Sequence, residues 1–169
     1  MIYSPPAQAD AELKYRPSVV EVADAGIRGQ YEATAMQMFI SREGSEYIRK
    51  KIAEISIEAR LEQLAKLPAN WDSYGTENPS RMAIITALAI AKAFVEFDLL
   101  PDAISASSEG GVAICFMRNQ RYADIECFNS GDVLAVRYSK NDEPKAWVVE
   151  PSPDATNATI RTVSAYLSV

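Results

Sequence analysis

The strongest constraint on the fold is a change of period. Before about Leu100 the apolar residues recur at helical spacing, and from Ala103 onward they alternate with polar ones. Five segments carry the alternation: Ala103–Ser107, Val112–Arg118, Arg121–Phe128, Val133–Tyr138 and Ala146–Val149. They are joined by Ser108–Gly111, Asn119–Gln120, Asn129–Asp132 and the polar stretch Ser139–Lys145. Links this short allow only antiparallel neighbours, so the segments predict a meander. A two-residue turn at Asn119–Gln120 sets Phe116 opposite Ala123, Ile114 opposite Ile125 and Val112 opposite Cys127. All six are apolar, which marks the buried face and sends Cys115, Met117, Tyr122, Asp124 and Glu126 to the other. For the next pair, a four-residue loop sets Leu134 opposite Cys127 and Val136 opposite Ile125. A three-residue loop would instead bring Arg137 beside Ala123 on the buried face, so the four-residue loop is expected.

Three helices are predicted around this sheet. Ser45–Leu67 has Ser45 as a plausible N-cap, an interior rich in Glu, Lys, Arg, Ala and Leu, and Pro68 to end it. Its apolar residues Ile48, Ile52, Ile55, Ala59, Leu61 and Leu64 form a stripe that Ile57 widens, and a helix that wide packs on more than one neighbour. A second helix starts at Asn78-Pro79-Ser80, with Asn78 or Ser80 as cap and Pro79 at the first helical position, and runs to about Phe97. A third follows Pro151-Ser152-Pro153-Asp154, with Ala155, Ile160, Val163 and Leu167 available to the sheet. The expected architecture is α+β: an antiparallel meander of four to five strands with helices on one face. Residues 1–44, with prolines at 5, 6 and 17, read as a partly extended N-terminal arm, and 45–169 as a single domain. Within the arm, Ser18–Val22 suggests a strand and Gln30–Ile40 a short helix.

Composition narrows the function. The chain of 169 residues has no histidine, which removes the commonest general base and metal ligand. Serine and cysteine nucleophiles thereby lose their usual activator, and no phosphate-binding glycine loop is present. The net charge of -6 argues against nucleic acid as a partner. Two cysteines make no disulfide scaffold, and no apolar run is long and clean enough for a membrane span. A cytoplasmic protein without cofactor is expected. The remaining catalytic option is a divalent-metal phosphodiesterase or nuclease using Asp124, Glu126 and Asp102, whose oxygens suit a hard cation. It lacks the lysine of the common restriction-type arrangement.

The most distinctive string is Trp71-Asp72-Ser73-Tyr74-Gly75. Structurally, Trp71 would plug the core between two helices, Asp72 would accept from turn amides, and Gly75 would supply a positive φ. Functionally, the aromatics would form a recognition loop. This W-D-x-Y-G element, the Pro79-Ser80 helix start, the alanine-rich helix ending in Leu100-Pro101 and the strand opening at Gly110-Gly111-Val112 together resemble a family of small bacterial proteins with no assigned reaction. The resemblance covers about Leu67 to Tyr138 and implies structural roles for Trp71, Asp72, Tyr74, Gly75, Pro79, Ser80, Gly110 and Gly111. The leading functional expectation is a non-enzymatic, protein-binding or regulatory accessory module of a bacterial or mobile-element system. Its contacts would be to a protein partner or a second copy through Trp71, Tyr74, Ile48, Ile52 and Ile57.

Overall fold

A computed structural model describes residues 42–168. Residues 1–41 of the expected arm, with its strand at 18–22 and helix at 30–40, lie outside the described residues, and its last three, 42–44, belong to the first helix rather than to an arm. Within them the order is α1 (Arg42–Leu64), α2 (Arg81–Glu96), β1 (Ala103–Ala106), β2 (Gly111–Arg118), β3 (Arg121–Phe128), β4 (Val133–Ser139), β5 (Asp142–Val148) and α3 (Pro153–Leu167). The five strands form one antiparallel sheet in sequence order, as expected of a meander. One core gathers Ile57, Leu61 and Leu64 of α1 and Ala83, Ala87, Ala91 and Phe94 of α2. It also holds Ile160 and Val163 of α3 and the inward residues of the sheet.

The sheet follows local turn chemistry. Asn119 and Gln120 both take positive φ, which gives a two-residue turn whose twist matches the strands. Hence Phe116 faces Ala123, Ile114 faces Ile125 and Val112 faces Cys127, all buried, as expected. Phe116 meets Phe94 of α2 with ring centroids 4.5 Å apart. Gly111 (φ +135°) opens β2 so close to its neighbour that a Cβ there would lie 2.2 Å from the Cys127 carbonyl oxygen.

The next register differs from expectation by one residue. Cys127 pairs with Val133, Ile125 with Ala135 and Ala123 with Arg137. Val133 and Ala135 are therefore buried, and Leu134 and Val136 turn to the helix-free face. The cause is Gly131 (φ +95°), whose amide donates to the Phe128 carbonyl and closes a three-residue loop. Arg137 is tolerated inward because its guanidinium lies over the Tyr166 ring, 4.7 Å from the centroid. The expected polar loop Ser139–Lys145 is instead a tight turn followed by half of β5. Pro144 and the charges of Asp142–Lys145 hid a strand at the sheet edge, where a missing amide is harmless.

Helix ends are set by caps. Ser80 caps α2 by accepting from the Ala83 amide, so Pro79 precedes the cap rather than occupying the first turn. Ser152 caps α3 in the same way, with Pro153 in the first turn. Helix α1 already includes Arg42, so Ser45 lies inside it. The last turn tightens through the Leu67 amide, which donates to the Leu64 carbonyl.

Candidate functional site

Helix α1 carries two apolar stripes on opposite sides. At about 100° per residue, Ala53, Ile57, Leu61 and Leu64 fall on one line and Ile48, Ile52, Ile55 and Ala59 on the line roughly 180° away. The first enters the core. On the second, Ile52 is 60 % and Ile55 63 % exposed. Ile57 thus belongs to the core and cannot share a docking surface with Ile48 and Ile52. Helical period alone merges into one wide stripe two faces that different surroundings separate.

Polar contacts hold α1 in this rotation. Arg60 Nε donates to the Ile104 carbonyl on the edge strand β1 (2.8 Å), and Lys50 Nζ to the Glu96 carbonyl at the end of α2 (3.0 Å). Arg49 pairs with Asp98 at 2.6 Å and Lys92 with Glu58 at 2.6 Å. Each of these groups flanks the core stripe or lies to its side, which leaves Ile52, Ile55 and Ala59 of the outward line exposed, with Ile48 at its head partly buried. Its spacing of four, three and four residues is that of a helix–helix seam.

The Trp71–Gly75 loop is built much as its sequence suggests. Asp72 Oδ1 accepts from the Tyr74 and Thr76 amides (3.0 and 3.4 Å), and hydrogen bonding from Thr76 above all holds its carboxyl below the usual range. Gly75 takes φ +85°. The aromatics behave otherwise. Trp71 is half-buried and belongs neither to the core nor to the side chains packed against it, and its Nε1 is buried without an acceptor among the described residues. Tyr74 is 93 % exposed.

The residue that fastens this region reads in the sequence only as a turn former. Asn129, in the β3–β4 loop, accepts from the Ser80 amide through Oδ1 (2.6 Å) and donates through Nδ2 to the Asn78 carbonyl (3.0 Å). Its own amide donates to the Gly110 carbonyl (3.2 Å). One residue therefore ties two hairpin turns to the entry of α2, through its side chain to Asn78 and Ser80 and its main-chain amide to Gly110. An asparagine in a turn gives no sign of such distant partners.

The strand carboxylates lie on the helix-free face but do not converge. Both Asp102 oxygens accept from Arg118 Nη1 (2.8 and 2.7 Å), and Oδ2 also accepts from the Met117 amide (2.7 Å). Glu126 Oε1 accepts from Ser107 Oγ (3.2 Å), and Asp124 stands opposite Cys115. Among the described residues no group of three or more Asp, Glu, Cys or His is placed to hold a metal ion. Burial and, after it, the hydrogen bond with Asp124 push the Cys115 thiol up to about 12, and burial does the same for Cys127. Thiols so far above neutrality are poor nucleophiles. Both cysteines are free, and they occupy opposite faces of the sheet.

No helix among the described residues is long and apolar enough to cross a membrane. In comparison with known proteins, no family model matches the sequence, and neither a curated protein nor a solved structure matches it.

Proposed function

We propose that the protein is a non-enzymatic protein-binding module, of the accessory or regulatory kind, whose contact surface is the outward stripe of α1. The observation that carries this reading is Ile52 and Ile55, more than half exposed at seam spacing on a helix whose opposite side is already committed to the core. The occupant we assign is the same stripe of a second copy, running antiparallel. Charge supports that choice. Lys51 and Glu58 lie on the same flank of the stripe, two turns apart, and each is already in an ion pair within the chain, with Glu54 at 2.7 Å and Lys92 at 2.6 Å, that a second copy would share. Antiparallel helices bring Lys51 of one copy toward Glu58 of the other at both ends of the seam, whereas parallel helices set Lys51 against Ser56 and Glu58 against Gln63. The seam is short, so the association is weak, with a dissociation constant on the order of 10 µM.

Size-exclusion chromatography with light scattering on the full chain tests this. A monomer–dimer equilibrium is expected, converted to monomer by Ile52→Glu with Ile55→Glu while the circular dichroism melt is kept. A wild-type chain that stays monomeric at several hundred micromolar would overturn the proposal. So would a dimer that the double variant leaves intact.

A further inference from the structure

Three basic side chains meet on the helix-covered face at one end of the sheet. They are Arg121 on β3, Arg137 on β4 and Lys145 on β5, with Arg137 directly opposite Lys145 in the register and beside Ala123. Like charges facing each other across strands weaken the pairing. None of the three forms an ion pair among the described residues. Arg121 has a structural task, since its Nη1 donates to the Tyr166 carbonyl in the last turn of α3 at 2.7 Å. Its guanidinium and that of Arg137 lie over the Tyr166 ring, 5.1 and 4.7 Å from the centroid. Among the described residues neither Arg137 nor Lys145 has a carboxylate partner, the Tyr166 ring being the contact that holds Arg137.

These groups line a cavity of about 440 Å³, together with Asn141, Asp142 and Glu143. Asp142 Oδ2 accepts from Ser139 Oγ at 3.0 Å and from Tyr166 Oη at 3.4 Å, hydroxyl contacts that leave its charge in the lining. The β4–β5 ladder shifts register between Arg137 and Ser139, a distortion that re-aims side chains at the rim of a sheet. We infer that this cavity binds a small phosphate-bearing anion, gripped by Arg137 and Lys145 with Arg121 as a third cation. A guanidinium's planar fork matches phosphate oxygens, and a dianion offsets the repulsion among three cations in spite of the two carboxylates nearby. The whole chain carries -6, so the attraction is local to this cavity rather than general.

The experiment is an NMR titration of the full chain with inorganic phosphate, with chloride at matched ionic strength and acetate as separate arms. Saturable shifts are expected for phosphate, centred on residues 121, 137, 141–145 and 166, with affinity reduced at least tenfold in Arg137→Gln and in Lys145→Gln. Lys145→Gln is expected to fold, because it removes one of two like charges that face each other, whereas Arg137→Gln also gives up the contact with the Tyr166 ring. Should Arg137→Gln fail to fold, Lys145→Gln on the exposed edge strand decides alone. A phosphate response no larger than that to chloride would overturn the inference, as would equal responses to acetate and phosphate. Unchanged affinity in the variants would also overturn it.

Discussion

On one side of α1, Ile57, Leu61 and Leu64 are almost wholly buried; on the other, Ile52 and Ile55 stand in the open. The two sets share residue types and spacing, so composition does not separate them. Their surroundings do, through Arg60 bonded to the edge of β1 and Lys50 bonded to the end of α2. An apolar side chain stabilises the monomer only where the fold supplies a neighbour to cover it. Where none is supplied, the same side chain costs nothing to remove and gains value only when a partner arrives.

The top of the stability scale lies in the sheet, away from α1. Gly111→Ala would force a Cβ against the Cys127 carbonyl at a positive φ, and a loss of about 4 kcal/mol or more is expected. A urea denaturation midpoint checks it, and a variant within 1 kcal/mol of wild type would show that the sheet yields more easily than described. The contrast within α1 comes next. Leu61→Ala should cost about 2–5 kcal/mol by emptying a core site, while Ile55→Ala should stay within about 0.5 kcal/mol when measured on dilute monomer. Comparable losses at the two positions would erase the distinction between the faces.

The smallest effect is electrostatic and lies in the Trp71–Gly75 loop. Because the folded-state pKa of Asp72 is depressed, its contribution is present above the ordinary carboxylate pKa and fades as pH falls through the folded value. Amide signals of Tyr74 and Thr76 should shift in that acidic range in wild type and not in Asp72→Ala. Identical acid titrations in the two proteins would remove Asp72 from that role.

The fold was largely legible because its signals are local. The Asn119–Gln120 turn and the alternation beside it set the β2–β3 register, and the Pro-Ser and Ser-Pro starts marked α2 and α3. The β3–β4 register was missed because an inward Arg137 looks forbidden until Tyr166, distant in sequence, provides a ring to lie on. The site was half legible. Of the expected contact residues on α1, Ile52 is exposed, Ile48 is partly buried and Ile57 lies in the core, because periodicity alone does not say which side of α1 meets the sheet. Asn129 was missed for the same kind of reason, its partners lying about fifty residues away in the chain.

The central claim, that the outward stripe of α1 pairs antiparallel with itself, is tested most directly by an interprotomer distance. A spin label at Gln63, near the end of α1, can be measured by pulsed dipolar spectroscopy on the full chain with its two native thiols replaced. Antiparallel pairing centred between Ile52 and Ile55 places the two labels about 28 Å apart along the helix axes at ~1.5 Å per residue. A distribution centred near that separation is the expected result. A separation near 10 Å, the spacing of parallel neighbouring helices, would contradict the account, and so would the absence of any dipolar signal at a concentration of several hundred micromolar.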